Sequence, residues 1–245
     1  MLFREASSIL HQLDQLPAVA RSQSDDPEGT VSAGIASSLA PALVGVLIQK
    51  SHAKIPKVKL KVSDDDSETL EAAVDGSSLD LAVVYEDEFV SKFSRQPLFR
   101  QQLFLVGKES EFSGRSSVSL DEVAKIPLAL PGLPNARRGL IDRVFAERSL
   151  PMNVVAETDS VSSELFAVKA GLAHTILPVN DRRAHVQDGF AEPLAIDADL
   201  FLTCSVISSS DLPLTRAGEA VRQLITEFID AALLKGDFMG LQRLG

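Results

Sequence analysis

Short apolar segments alternate with helical segments along most of this 245-residue chain, and this alternation constrains the fold more than any other feature. Residues 57–62 alternate between lysine and an apolar residue, which is typical of a strand with one solvent-exposed face. Residues 79–85 are almost continuously apolar, which is typical of a buried strand. A first strand is predicted at 31–35, a helix at 39–50 between it and the strand at 57–62, and a helix at 67–74 before the strand at 79–85. The resulting βαβαβ order predicts an α/β fold with a mostly parallel sheet.

The same alternation begins again after Val123. Strands and helices are predicted there in turn, at 126–132, 137–148, 154–158, 160–170 and 174–178. A late strand at 204–207 and a long amphipathic helix at 215–234 are expected to return to the first module. The sequence therefore predicts two βα lobes, and in such folds small ligands bind in clefts at the carboxyl ends of the strands.

Residues 1–24 contain a seven-residue repeat of apolar positions. Its two lines are Leu2, Ile9 and Leu16, and Ala6, Leu13 and Ala20. Such a seam predicts a helix that pairs with another helix, and an amphipathic helix packed on its own domain is the alternative. The polar segment 22–29, which contains Pro27 and Gly29, predicts a hinge before the first lobe.

The charge and the cysteine content exclude several classes of function. The chain has 24 Lys and Arg against 34 Asp and Glu, a net charge of −10, so it is a poor candidate for nucleic-acid binding by itself. Its single cysteine, Cys204, can form neither an internal disulfide nor a thiolate zinc site. The N-terminus does not read as an export signal and no apolar run reaches the length of a membrane span, so we expect a cytoplasmic protein without a membrane partner.

The common catalytic and cofactor motifs are missing from the sequence: GxGxxG, GxxxxGK[ST], GxSxG and HExxH. His174 and the pair of Glu157 and Asp159 are possible acid–base groups, but a structural histidine and capping of the next helix are the favoured interpretations. The acidic residues between Asp64 and Glu88 are interpreted as a solvated rim, with a calcium site or a basic partner as the alternative. We therefore expect no catalytic residue, no cofactor and no metal.

Three predicted strand-to-helix turns carry hydroxyl groups or exposed amides. They contain Ser37 and Ser38, then Pro131 and Gly132, and then Thr158, Asp159 and Ser160. A helix N-terminus has unpaired N–H groups and a partial positive charge, which attract carboxylates and phosphates. Arg137 or Arg138 is a candidate to clamp such an anion with two hydrogen bonds. The alternative is that Ser38 and Ser160 are only helix caps.

The ordered set of segments resembles the regulatory part of the LysR-type transcriptional regulators. The resemblance covers nearly the whole chain and is carried by LFREASSILHQLDQL, GTVSAGIASSLAP, LDLAVVYE, QQLFLVGKES, LALPGLPNARR and ELFAVKAGLAHTILP. The details are most similar to the nitrogen-assimilation-control-like branch. The resemblance implies two Rossmann-like lobes of the type 2 periplasmic-binding-protein-like fold after a linker helix. The implied domains are a linker or dimerisation helix at 1–24, lobe I at 30–124 and 200–235, and lobe II at 125–199.

The same resemblance implies where an effector binds. Ser37 and Ser38 match the contact turn of the first lobe, and Pro131 and Gly132 match the loop of the second lobe. The remaining matches are Arg137 and the far-wall positions Thr158, Asp159 and Thr175. The sequence departs from the family at KAGLAHT, where Ala173 and His174 replace a second glycine, and no winged helix-turn-helix precedes the linker helix.

The implied function is effector sensing and oligomerisation in a DNA-binding regulator. A small anionic effector would bind in the cleft, the chain would form a homodimer or tetramer, and DNA would be contacted only through the missing N-terminal domain. In the implied dimer the helices at 39–50 and 137–148 face each other. A solute-binding protein of the same fold and a small-molecule enzyme on that fold are the alternatives.

Overall fold

The computed structural model describes residues 26–87, 92–108, 114–180, 189–235 and 238–244. Six helices and eleven strands are described there. In chain order they are β1 (Gly29–Ala36), α1 (Ala40–Lys54), β2 (Val58–Asp65), α2 (Ser67–Asp75), β3 (Leu81–Glu86), β4 (Phe93–Val106), β5 (Ser117–Val118), α3 (Leu120–Val123), β6 (Leu128–Leu130), α4 (Ala136–Glu147), β7 (Val154–Glu157), α5 (Val161–Lys169), β8 (Thr175–Pro178), β9 (Leu194–Ile196), β10 (Phe201–Ser209), α6 (Arg216–Lys235) and β11 (Leu241–Gln242). The predicted linker helix at 1–24 lies outside the described residues.

The chain forms two compact units. The described residues of unit 1 fall within Met1–Val84, Phe89–Leu98 and Cys204–Leu234, and those of unit 2 fall within Tyr85–Glu88, Phe99–Thr203 and Lys235–Gly245. The segment 99–124, expected in lobe I, therefore lies in unit 2. The physical reason is strand pairing, because the second half of β4 pairs with β8, β9 and β11.

Unit 1 is built on a parallel sheet. Strand β1 lies between β2 and β3 and pairs in parallel with both, with Gly29 opposite Val58 and Ile35 opposite Val83. The inward side chains of β1 are completely buried. Helix α6 packs its apolar stripe into the core through Ala217, Val221, Leu224, Ile225, Ile229 and Ala232. The predicted βαβαβ order is present in this unit, with its parallel pairing.

Unit 2 mixes parallel and antiparallel pairs, which the prediction of a mostly parallel sheet did not include. Strand β4 pairs antiparallel with β8 and β9, whereas β5 pairs in parallel with β9. Strands β6 and β7 form a separate parallel pair. One core cluster of this unit consists of Phe104, Val106, Val168, Leu177, Val179 and Phe190. The carboxyl ends of β6 and β7 lie at one edge, which Pro131, Gly132, Thr158 and Asp159 directly follow.

Candidate functional site

In unit 1, the predicted contact turn lies between β1 and α1. Ser37 and Ser38 are half-buried and follow the last buried residue of β1. The N-cap residue of α1 is Leu39, whose side chain makes no capping hydrogen bond. The residue at the N-cap position is thus Leu39 rather than Ser38. A helix start without a capping side chain at its N-cap suits the binding of an anion.

Carboxylates lie next to this turn. Asp64 and Asp65 pair in register with Ile35 and Ala36, so they end β2 beside the end of β1. The Ser37 hydroxyl donates to Asp64 Oδ2 at 3.4 Å, and the Ser37 amide donates to the Asp65 carbonyl at 3.0 Å. The Ser37 hydroxyl thus already has an acceptor within unit 1.

In unit 2, the structure brings four predicted residues together at the carboxyl ends of β6 and β7. Leu130 and Glu157, the last residues of these strands, pair with each other, and the Thr158 amide donates to the Leu130 carbonyl at 3.0 Å. Pro131 and Gly132 therefore follow one strand while Thr158 and Asp159 follow its neighbour. These two turns therefore lie side by side at the ends of neighbouring parallel strands.

The helices that start at these turns are capped by side chains. Asn135 is the N-cap of α4 and accepts a hydrogen bond from the Arg138 amide at 3.2 Å. Ser160 is the N-cap of α5 and accepts from the Ser163 amide at 3.2 Å. The capping interpretation of Ser160 is confirmed, and the cap is Ser160 rather than Asp159.

Arg137 and Thr175 face the interior of unit 2, which differs from their expected place in direct contact with a ligand. Arg137 Nη2 lies 2.5 Å from Glu164 Oε1, and Arg137 Nη1 donates to Glu164 Oε2 at 2.8 Å and to the Ile176 carbonyl at 2.7 Å. The Thr175 hydroxyl donates to the same Glu164 carboxylate. The side chain of Glu164 is only 1% exposed and that of Arg137 is 10% exposed.

Sequence reasoning missed Glu164, although a signal for it exists. Val161, Leu165 and Val168 line the inner face of α5, and Glu164 lies at a matching helical position among them. A carboxylate on an apolar stripe needs a partner, because burying an unpaired charge is costly. The chain supplies that partner from α4 as Arg137.

Arg138, the neighbour of Arg137, faces the Pro131–Gly132 turn. Arg138 Nη1 donates to the Pro131 carbonyl at 3.0 Å and to Glu157 Oε1 at 2.6 Å, and Nε donates to Asp142 Oδ1 at 2.8 Å. Burial lowers the pKa of Arg138, but hydrogen bonds to Glu157 and Asp142 outweigh it, so the pKa lies above its usual value. The Glu157 carboxylate is thus paired with an arginine rather than with Asp159 as an acid–base couple.

His174 is a packed side chain. It is only 5% exposed, its amide donates to the Pro127 carbonyl, and its carbonyl accepts from the Ala129 amide. Its ring lies against Gly107, where an added Cβ would come within 2.5 Å of His174 Cδ2. This packing supports the interpretation of His174 as a structural residue.

No group of three or more His, Cys, Asp or Glu side chains is arranged to hold a metal ion in the part of the chain that the structure describes. Among the same residues, no helix is both long and apolar enough to cross a membrane.

Comparison with solved structures shows the fold. The effector-binding domain of QuiR in complex with shikimate has a TM-score of 0.74 at 16% identity, over 83% of this chain and 98% of that one. The regulatory domain of CcmR from Synechocystis PCC6803 in complex with 2-PG has a TM-score of 0.69 at 14% identity, over 81% of this chain and 96% of that one. The predicted α/β class of the type 2 periplasmic-binding-protein-like fold is confirmed.

Comparison of sequences shows the family. The nitrogen assimilation regulatory protein nac of Escherichia coli (strain K12) is 26% identical over 238 residues, which are 96% of this chain and 77% of that protein. This similarity agrees with the predicted resemblance to the nitrogen-assimilation-control-like branch. The family is one of regulators rather than enzymes, as predicted. The family model of the LysR substrate binding domain matches residues 24–230. The chain therefore belongs to the LysR family of transcriptional regulators, and the matched part is its substrate-binding domain.

Proposed function

We propose that this domain senses a small anionic metabolite and that strand-to-helix turns bind its anionic groups. The observation that carries the proposal is the start of α1, where Leu39 at the N-cap makes no side-chain capping bond behind Ser37 and Ser38. Negatively charged groups of a ligand accept hydrogen bonds from backbone N–H groups at the start of a helix and interact favourably with the helix dipole. The related domains of QuiR and CcmR, solved with shikimate and with 2-PG, support a small-molecule ligand.

The roles of the predicted residues follow from their surroundings. Ser38, Gly132 and Thr158 are proposed as direct contacts, because they lie in turns at strand ends and are only half-buried. Ser37, Pro131 and Asp159 belong to the same turns and are proposed to shape them, because the Ser37 amide already donates to the Asp65 carbonyl and proline has no N–H group. Arg137 and Thr175, which contact Glu164, are proposed to position the turns rather than to touch the ligand.

A thermal-shift screen with small carboxylates, sulfate and phosphate tests this function. A ligand that binds only the native state, at 100 times its dissociation constant, stabilises the domain by about 2.7 kcal/mol, which corresponds to roughly 5–10 °C for a chain of this size. Ser38→Ala is expected to remove about 1 kcal/mol of that stabilisation by the loss of one hydrogen bond, and the thermal shift should fall accordingly. Ser94→Ala, at an exposed serine of β4, is the matched control and should leave the shift unchanged.

The outcomes separate the site from the ligand class. If no anion in the screen stabilises the chain, the proposed anionic effector is wrong. If an anion stabilises the chain but Ser38→Ala and Ser94→Ala respond equally, the assignment of the unit 1 turn is wrong.

The assembly and the place of action are also proposals. We propose a homodimer or tetramer that acts in the cytoplasm and contacts DNA only through a winged helix-turn-helix domain, because the domain itself carries a net charge of −10. The predicted pairing helix at 1–24 and the helices α1 and α4 are the proposed contact elements. Gel-shift binding of DNA by this chain alone would contradict the assignment.

A further inference from the structure

The guanidinium of Arg138 is a candidate anion-binding group that the sequence did not single out over Arg137. Its side chain is only 12% exposed, and its partners Asp142 and Glu157 are 32% and 57% exposed. Asp142 lies one turn further along α4, and the Pro131 carbonyl belongs to the turn itself. The guanidinium is therefore fixed beside the Pro131–Gly132 turn by groups on two sides, while Glu157 approaches it from solvent.

Glu157 occupies the space over this turn. Its Oε1 lies 2.6 Å from Arg138 Nη1, and its Oε2 would lie 3.8 Å from a Cβ added at Gly132. Arg138 Nη1 thus donates to two acceptors at once, the Pro131 carbonyl and the Glu157 carboxylate. An anionic group bound at Gly132 and Thr158 would meet the Glu157 carboxylate in the same place and be repelled by it.

We propose that Arg138 binds the anionic group of the effector in unit 2, and that Glu157 is an internal competitor which the effector must displace. This inference rests on the proposed function and assigns the charge that recognises the ligand there. The exchange replaces one carboxylate on the guanidinium by another carboxylate or a phosphate, so Arg138 is paired in both states. An anion that presents two oxygens is expected to bind most tightly, because the planar guanidinium can donate a hydrogen bond to each of them.

The competition has a consequence for sensitivity. In the free domain Arg138 is already paired with Glu157. An effector therefore gains only the difference between its own interaction free energy with Arg138 and that of Glu157. Removing the negative charge of Glu157 is therefore expected to tighten binding. This direction is opposite to the effect of removing a residue that merely supports the site.

The test is isothermal titration of the whole chain with two probes, inorganic phosphate and shikimate. Glu157→Gln is expected to lower the dissociation constant of the bound probe about fivefold, and Arg138→Gln to raise it at least about tenfold. In the double variant the gain from Glu157→Gln is expected to disappear, because the two residues act on each other. Since Glu157 is more than half exposed, its variant should fold, and an unchanged thermal midpoint without ligand checks this.

Glu122→Gln is the matched control. Glu122 is a carboxylate of unit 2 that is paired with another arginine, Arg115, and its side chain is 42% exposed. The substitution removes the same charge from an acidic chain, so it reports any general effect of net charge on anion binding. The dissociation constant is expected to stay within about twofold of that of the unmodified chain.

The outcomes distinguish this inference from the proposed function. If a probe binds and Ser38→Ala weakens it, but Glu157→Gln fails to tighten it or tightens it no more than Glu122→Gln does, the competition is wrong and the proposed function stands. If Arg138→Gln binds the probe as well as the unmodified chain does, the role of Arg138 is wrong. If neither probe binds the unmodified chain or Glu157→Gln, the inference is overturned, and the full anion screen then decides the proposed function.

Discussion

Two adjacent arginines point in different directions because of the geometry of one helix. Consecutive residues of an α-helix point about 100° apart, so Arg137 and Arg138 cannot face the same surroundings. The buried positions of α4 are Arg137, Leu140, Ile141, Val144 and Phe145. The sequence contains this stripe, and extending it backwards by three residues places position 137 inside. The prediction of Arg137 as a ligand clamp overlooked that signal, whereas its pairing with Glu164 depends on tertiary structure and could not be read from the sequence.

The buried pair of Arg137 and Glu164 predicts a large loss of stability when only one charge is removed. Glu164→Gln leaves the Arg137 guanidinium charged and almost completely buried. We expect the free energy of unfolding to fall by about 3 kcal/mol, measured by urea denaturation, because breaking a buried ion pair strands the other charge.

A second substitution tests the cause of that loss. Arg137→Met in the Glu164→Gln background removes the stranded charge and is expected to recover most of the stability. Glu227→Gln, which breaks the exposed pair of Glu227 with Lys54, should leave the midpoint nearly unchanged. A loss for Glu164→Gln as small as that for Glu227→Gln would contradict the buried pair.

At the scale of elements, the sequence predicted the helices and strands that have a clear apolar periodicity of their own. The strands and helices of unit 1 up to β3 were predicted within a few residues, and so were α4, α5 and α6. The first half of β4 was missed, because 94–97 read SRQP and a proline argues against a strand. Strands β5 and β9 are two and three residues long, and only pairing with other strands, β5 with β9 and β9 with β4, makes them strands.

The short helix α3 carries a prediction about pH. Hydrogen bonds from Arg115, then from the amide and hydroxyl of Ser119, lower the pKa of Glu122 from 4.5 to about 2. Glu122 Oε1 lies 2.8 Å from Arg115 Nη1, and the Ser119 amide donates to Oε2 at 3.0 Å. A carboxyl whose pKa is lowered by folding stabilises the native state above its unfolded pKa. This contribution should therefore be complete above pH 4.5 and be lost as the pH falls towards about 2.

The measurement compares the chain with Glu122→Gln. Other carboxyl groups titrate over the same range, so the informative quantity is the difference between the two unfolding midpoints at each pH. The difference is expected to favour the unmodified chain at pH 6 and to shrink steadily below about pH 4.5. A difference that stays constant down to pH 3 would contradict the hydrogen bonds of Glu122 to Arg115 and Ser119 as the cause.

At the scale of the whole molecule, the sequence predicted two lobes and a late return to the first lobe. Cys204–Leu234 does belong to unit 1, although more than 100 residues separate it from the rest of that unit. The boundary near 124 differs, because β4 is a single strand of 14 residues whose two halves belong to different units. The period of a strand is the same on both sides of such a boundary, so no sequence pattern marks it.

The proposed oligomer gives a prediction for the assembled molecule. The repeat of Leu2, Ile9 and Leu16 with Ala6, Leu13 and Ala20 lies in a segment outside the described residues, so the argument rests on the sequence. If this seam pairs two helices, Leu13→Asp places a charge in the apolar interface, where it is desolvated without a partner. We expect the variant to sediment at a lower mass than the unmodified chain at the same concentration.

The control must add the same charge to the same helix away from the seam. Gln15→Asp does so, because position 15 falls on neither apolar line. It is expected to sediment like the unmodified chain, which separates loss of the interface from repulsion between two chains that already carry a net charge of −10 each. Equal masses for Leu13→Asp and Gln15→Asp would show that the seam packs on its own domain, which is the alternative interpretation of this repeat. A monomeric unmodified chain at micromolar concentration would remove the proposed oligomer altogether.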